Sequence, residues 1–218
     1  MKSNYQLNIM EYSNKPHIII GAGGHASVLI DALKYFKVNL IGYVALEKSE
    51  TSFIEHSYLG DDNFVLNYRP EEVVLINGIG SLPDYNIRWN ISKKFRDLKY
   101  EFSQVIHPSV ILSQNTQIDS GVQIMANSVI QTGVKLGHDT IINTSCSIDH
   151  DCNIYKNCHI GPGTICSGGV KIKENVHVGT GSTIIQNINI GAGSIIAAGS
   201  IIHKDIPKHT KYLRDNHE

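Results

Sequence analysis

The chain lacks an excess of either charge. Among 218 residues, 19 Lys and Arg stand against 20 Asp and Glu, a formal balance of −1, and the isoelectric point lies near 6.8. No long basic run interrupts the mixture. This argues against a nucleic-acid or membrane-surface partner, both of which need a strong positive field. Long apolar stretches are also missing. Nothing approaches the roughly 18 apolar residues of a membrane span, and Met1 to Pro16 is polar, without the apolar core of a secretory signal. A cytoplasmic protein is expected. Cysteine is scarce: Cys146, Cys152, Cys158 and Cys166 are all there is. They read as small core residues in a reducing compartment, and no metal site is expected.

What the second half has in abundance is a count of six. From Ile106 to Ile202 every sixth residue is aliphatic, except for Cys166. The residue four places later is small or β-branched throughout, as in Val122, Ser128, Val134, Thr140 and Cys146. A helix cannot use this spacing, because six steps of about 100° scatter the side chains over three directions. A parallel β-helix can. One large and one small residue point inward from each short strand, and the count repeats at each corner. Three hexapeptides close one triangular coil of the left-handed form, so residues eighteen apart stack about 4.8 Å from each other. No two cysteines are eighteen apart, so none stack for a disulfide.

The first hundred residues differ in kind. His17 to Ile20 reads as a buried strand, Gly21 to His25 as a tight turn, and Val28, Leu29, Ala32, Leu33 and Phe36 as a helix face. Further strands are expected at Asn39 to Val44 and Val73 to Asn77, and a second amphipathic helix on Ile87, Ile91, Phe95 and Leu98. The expectation is a small βαβ-type α/β domain with a parallel sheet over residues 1–104, followed by a left-handed β-helix with a C-terminal tail over 105–218. After Ile202 the six-residue count stops, leaving a polar tail that either caps the solenoid or is loose.

Gly21 to Gly24 follows a strand and opens a helix, where free backbone N–H groups and the helix dipole suit a phosphate. Gly21-x-Gly23-x-x-Ala26 fits the loose dinucleotide fingerprint. The acidic residue that NAD needs at the end of the second strand is replaced by Val44-Ala45. A mononucleotide or a sugar phosphate is the better expectation, with a ligand-free βα turn as the plain alternative. His25 is unusual there and could bond a phosphate or sugar.

In the solenoid, His150 lies between Asp149 and Asp151 near a corner. A neighbouring carboxylate favours the imidazolium and keeps the ring basic, as a general base requires. The plain alternative is a solvated histidine with no task. Eighteen residues on comes Gly168, which would leave room for a ligand and offer a backbone N–H to an oxyanion. His177 stacks on His159 by the same count. Pro162, Thr180 and Ala198 form a column of small residues, a groove long enough for a pantetheine arm.

Together these residues resemble a family, the bacterial hexapeptide-repeat sugar acyltransferases with a small nucleotide-binding N-terminal domain. Its members include sialic acid O-acetyltransferases, the UDP-4-amino-sugar N-acetyltransferase of bacillosamine synthesis and GDP-perosamine N-acetyltransferase. The resemblance spans about residues 16 to 208. It rests on Ile20-Gly21-Ala22-Gly23-Gly24-His25, Leu59-Gly60-Asp61-Asp62, Ile106-His107-Pro108-Ser109, Asn143-Thr144-Ser145 and Asp149-His150-Asp151-Cys152. It implies a homotrimer with active sites between subunits and acetyl-CoA as donor. His150 resembles the catalytic base, and Asp151 its polarising acid, with Asp149 in reserve. Gly23, Gly24, His25 and Asn143 resemble substrate-binding residues. His159, Gly168, Thr180 and Ala198 resemble cofactor contacts. Two segments depart from the family: Val44-Ala45 replaces paired acids that meet the nucleotide base, and Thr210 to Glu218 lacks the usual apolar end.

The implied reaction is N-acetylation of a nucleotide-linked amino sugar of the UDP-4-amino-4,6-dideoxy type, as in bacillosamine synthesis. The alternative is O-acetylation of sialic acid or a related hydroxyl. A zinc hydratase on the same solenoid would need three convergent histidines, and its close His pair, five residues apart, is absent. A non-enzymatic scaffold would show an outward Thr column, whereas Thr140 and Thr164 occupy inward slots. A nucleotidyltransferase would need a longer first domain with a Gly-rich signature and a following Arg.

Overall fold

The computed structural model of the chain describes residues 14–49, 56–83 and 86–213. It divides into two compact units, Met1–Val105 and Ile106–Glu218. In the first unit, β1 (His17–Ile20), β2 (Leu40–Val44), β3 (Tyr58–Gly60), β4 (Val74–Asn77) and β5 (Glu101–Phe102) form one parallel sheet, in the order β3-β2-β1-β4-β5. The two central strands are buried along their whole length, which is why they read as continuous apolar runs with no alternation. Ile18, Ile20, Val44, Leu75, Phe95 and Phe102 form the centre of one core. Each such side chain is worth about 1.5–3 kcal/mol when fully buried.

Both helices differ from the sequence expectation in detail. The first runs Gly24–Leu33 and buries Ala26, Leu29, Ile30, Ala32 and Leu33. It ends before Phe36, and Val28 is half exposed. The second runs Ile87–Asp97, but Ile87 and Leu98 lie on the exposed side. Its buried face carries Arg88, Ser92 and Phe95 instead. Two polar residues are buried there and both bond to Asn77, at the end of β4. Its amide Nδ2 donates to Ser92 Oγ at 2.8 Å and to Arg88 O at 3.0 Å. Arg88 Nη1 donates to the carbonyls of Asn77 at 2.8 Å and Ile79 at 2.7 Å. Buried polar groups survive only when bonded in this way. The Leu59-Gly60-Asp61-Asp62 segment is the end of β3 plus a cap: Asp61 accepts Asn63 N–H and starts the 3₁₀ turn Asp62–Asn67.

In the second unit a two-residue strand recurs every six residues, and the strands stack into three parallel sheets of six, five and seven members. Pairing joins residues eighteen apart: Ile130 with Ile148, Ile148 with Cys166, Cys166 with Ile184. This is the architecture expected of the left-handed hexapeptide β-helix. From Ile124 to Ile202 every aliphatic slot is buried. The small slots are buried as well, and their chemistry explains their composition. Ser128 Oγ donates to the carbonyl of Asn143, Thr140 Oγ1 to Tyr155, and Ser182 Oγ to Ala197, each fifteen residues ahead. Cys146, Cys152 and Cys158 donate through sulfur with the same fifteen-residue reach. The cysteines are free and buried, and burial pushes the Cys146 and Cys152 thiols up to about 11 and Cys158 to about 12. They remain protonated donors.

A third periodic position marks the corners of the coil. The residue three after each inward aliphatic turns the corner with φ near +60°: Asn127, Asp139, Ser145, Asp151, Asn157, Asn175 and Asn187, with glycine at the remaining corners from Gly121 to Gly199. Glycine, Asn and Asp are the residues that tolerate this left-handed conformation.

The count also resumes in the tail, contrary to expectation. Ile206 bridges to Ile190 and is buried, and Lys211–Tyr212 pairs with Ile195–Ile196. Two residues are missing between Ile202 and Ile206, so the six-residue count slips there, but His209 again turns the corner with φ 58°. The tail through Leu213 continues the seven-stranded sheet, while its last stretch, residues 214–218, lies outside the described residues. Among the described residues, no helix is long and apolar enough to cross a membrane.

Candidate active site

His150 stands on the turn after the strand Ser147–Ile148. Its Nδ1 lies 2.9 Å from Asp151 Oδ2, and its backbone N–H donates to Asp149 Oδ1 at 2.8 Å. Asp151 thus holds the ring and Asp149 holds the main chain. An ionised carboxylate accepts only, so Nδ1 carries the proton and Nε2 of the neutral ring bears the lone pair. The Asp151 hydrogen bond, joined by the charge of Asp149, raises the imidazole above its ordinary pKa. Asp151 sits at a left-handed corner, φ 59°, so the fold favours an Asp or Asn there for its own reasons.

The edge of the ring bearing Nε2 lies against Gly168. A Cβ at Gly168 would fall 2.5 Å from Nε2 and 2.6 Å from Cε1. Any larger residue at 168 would displace the base. The glycine was expected to leave room for a ligand; the room is taken by the imidazole itself, and Gly168 is buried beneath it. The two coils are locked together by Gly169 N–H donating to the His150 carbonyl at 2.9 Å. Among the described residues, no backbone carbonyl accepts the N–H of Gly168.

Asn143 and His159 adjoin the seven-stranded sheet, a different face from that preceding His150. Asn143 Nδ2 lies 3.2 Å from His159 Nε2, and His159 Nδ1 lies 3.2 Å from Nδ1 of His177. The two imidazole rings meet edge to face, with centroids 4.6 Å apart. Within one chain, therefore, His150, Asp151 and Gly168 form one group, and Asn143, His159 and His177 form another.

Thr180 and Ala198 occupy one column with Pro162, all at the corner that follows the seven-stranded face. Gly181 N–H donates to Pro162 O and Gly199 N–H to Thr180 O. Thr180 and Ala198 are exposed. A Cβ on Gly163, Gly181 or Gly199 would meet nothing within 4 Å. The corner is open at each of these three glycines. A separate depression of about 330 Å³, lined by Asp119, Lys135, His138, Lys156 and Glu174 among others, contains none of the expected site residues.

In the first unit, the glycines of the turn divide by cause. Gly21 has φ +105°, and a Cβ there would lie 3.1 Å from Gly78 C and from Ile79 Cγ1, so the close approach of two loops requires it. Gly23 and Gly24 are exposed, and a Cβ on either would meet nothing within 4 Å. Gly23 caps the helix with no side-chain bond, so Gly23 and Gly24 leave the turn bare of side chains. His25, half-buried, follows them. Ser49 Oγ donates to the Ala22 carbonyl at 3.4 Å, a tie to this turn that no sequence motif signals. Among the described residues, no group of three His, Cys, Asp or Glu side chains comes together as a metal site.

The PglD N-terminal domain family matches residues 18–95. No curated protein sequence matches. Among solved structures, PerB from Caulobacter crescentus, in complex with CoA and GDP-perosamine, is 31% identical, with 89% of this chain and 92% of that chain covered and a TM-score of 0.80. The acetyltransferase domain of PglB from Neisseria gonorrhoeae, in complex with acetyl coenzyme A, is 29% identical over 90% of this chain and 94% of that one, TM-score 0.80. WeeI from Acinetobacter baumannii shares the fold at 16% identity and TM-score 0.75. The chain belongs to the hexapeptide-repeat nucleotide-sugar acetyltransferase family and is an acyltransferase.

Proposed function

We propose that the protein transfers the acetyl group of acetyl-CoA to the amine of a nucleotide-linked amino sugar, with His150 as general base. One observation carries this reading: an imidazole whose Nδ1 is tied to Asp151 while its Nε2 edge lies against Gly168. In the proposed step the sugar nitrogen attacks the thioester carbonyl, a C–N bond forms and the C–S bond breaks. His150 Nε2 takes the proton of the attacking nitrogen and returns it to the departing sulfur. Gly168 seats the ring, and its N–H, which no backbone carbonyl accepts among the described residues, is assigned in this reading to the developing oxyanion. His159, Thr180 and Ala198 line the acetyl-CoA groove, and Asn143 contacts the substrate near the reacting centre. Gly23, Gly24 and His25 hold the nucleotide part at the open helix start. The relatives solved with CoA, acetyl-CoA and GDP-perosamine support both substrates.

The acceptor is read as a UDP-linked 4-amino-4,6-dideoxy sugar of the bacillosamine type, with GDP-perosamine as the competing nucleotide sugar. A homotrimer with its sites between subunits is part of the same reading. Its support is the outward slot just before each inward aliphatic. On the six-stranded face this slot holds Ile111, Val129, Ser147, Ile165, Thr183 and Ile201, with Ile111, Ile165 and Ile201 at 67%, 46% and 66% exposure. On the five-stranded face it holds Gln117, Lys135, Asn153, Lys171 and Asn189. Apolar residues facing outward on one side and not another fit a contact between copies. Cytoplasmic location belongs to this reading because acetyl-CoA is made there.

The test is turnover with acetyl-CoA and each of UDP-, GDP-, dTDP- and CMP-linked amino sugars. His150→Ala is expected to cut kcat by about 10²–10⁴. Unchanged turnover would reject the base. O-acetylation of a sugar hydroxyl is the second reading; a product that loses its acetyl group in mild base identifies it.

A further inference from the structure

His177 has no part in the proposed step, yet its ring nitrogen is bonded to a residue that does. The protonation of that group can be read from its hydrogen bonds. The backbone N–H of Thr144 donates to Asn143 Oδ1 at 2.8 Å. This fixes the Asn143 amide, so the group that meets His159 Nε2 is the NH₂. An NH₂ only donates, so His159 Nε2 bears a lone pair. The ring proton of His159 is then on Nδ1, where it donates to Nδ1 of His177 across 3.2 Å. His177 accepts there and keeps its own proton on Nε2. No other placement of protons avoids two donors facing each other. A second proton on either ring breaks a link in the chain. Burial, which holds His177 below the ordinary imidazole pKa, agrees with a neutral pair.

We propose that His177 is a positioning residue for His159: it accepts the Nδ1–H that the Asn143 amide leaves on that ring, and so holds the ring's orientation in the acetyl-CoA groove. The inference rests on the proposed acetyl-CoA site. It adds a residue, eighteen positions on and one coil further along, whose partner is an imidazole rather than the substrate. The column pairing His159↔His177 supplies the geometry, because two strands in register bring both Nδ1 atoms to one side.

The test uses the full chain labelled with ¹⁵N and correlates ring nitrogens with carbon-bound ring protons at neutral pH. His159 signals are assigned by their loss in His159→Gln. The wild type should show His159 as the Nδ1–H tautomer. In His177→Phe the Asn143 amide still favours that tautomer, but the Nδ1–H loses its acceptor, so the His159 ring signals should shift and broaden, and KM for acetyl-CoA should rise about tenfold, the worth of one hydrogen bond. In His177→Asn, whose side-chain oxygen can stand where the His177 Nδ1 accepts, both should return to within about twofold of wild type. A wild-type His159 found as the Nε2–H tautomer or the imidazolium overturns the proposal. So does equal KM for the Phe and Asn variants. Turnover of His150→Ala, measured alongside, tests the acetyl-transfer reading separately, because the tautomer is read without substrate.

Discussion

At the scale of single residues, two positions in the site are constrained by different forces. Asp151 satisfies a corner with φ 59° and also accepts the hydrogen bond of His150 Nδ1–H. Asp151→Asn keeps the corner and removes the charge. Because Asp151 raises the imidazole, the acid limb of the kcat/KM profile should move to lower pH in this variant, read from a pH–rate series. Stability runs the other way. A raised imidazole adds stability below its ordinary pKa and loses it as pH climbs through the raised value, while the base works only above that value. Gly168 is constrained by space alone. Gly168→Ala puts a methyl 2.5 Å from Nε2, so the ring must turn away. The expected result is kcat down by roughly 10² with little change in melting temperature, compared by kinetics and thermal unfolding. The His150–Gly168 pair was legible from counting eighteen. The separate tasks of Asp149 and Asp151 were not, because adjacent acids look alike until backbone direction decides which one reaches Nδ1.

At the scale of elements, hydrophobic pattern located both helices and missed part of one buried face. Ile87 and Leu98 have the right spacing, yet Arg88 and Ser92 go inside, because Asn77 at a strand end offers partners for both. Polar pairs that satisfy each other do not register in an apolar count. Asn77→Ala strands the Ser92 hydroxyl and the Ile79 N–H, whose acceptor is Asn77 Oδ1. A loss of about 1–3 kcal/mol is expected in urea unfolding of the whole chain. The solenoid strands were legible because two periodic slots are buried. The corner slot was equally visible as a run of Gly, Asn and Asp. Asn175→Ala should cost about 1–2 kcal/mol and Asn175→Gly much less, because only the first strains a left-handed corner.

At the scale of the whole molecule, the hexapeptide count set the architecture of the longer unit. What lies on the outside of a coil was harder to see, since outward residues need no period. The outer row Ile111, Ile165 and Ile201 becomes conspicuous only when three faces are separated. Ile165→Lys should shift the protein to a smaller species in sedimentation without lowering the β-sheet signal in circular dichroism. An unchanged mass would remove this face from the assembly.

Pairing of residues eighteen apart also limits how the rod can change length. Excising six residues between His150 and Gly168 would pass every downstream side chain to the next face and leave the imidazole above a stranger. Excising eighteen beyond Gly168 would shorten the molecule by a whole storey and keep each vertical file intact. Insertions and deletions in such a chain are tolerated in units of one complete revolution, or at its ends, where the two-residue slip before Ile206 already shows the last storey making its own adjustment.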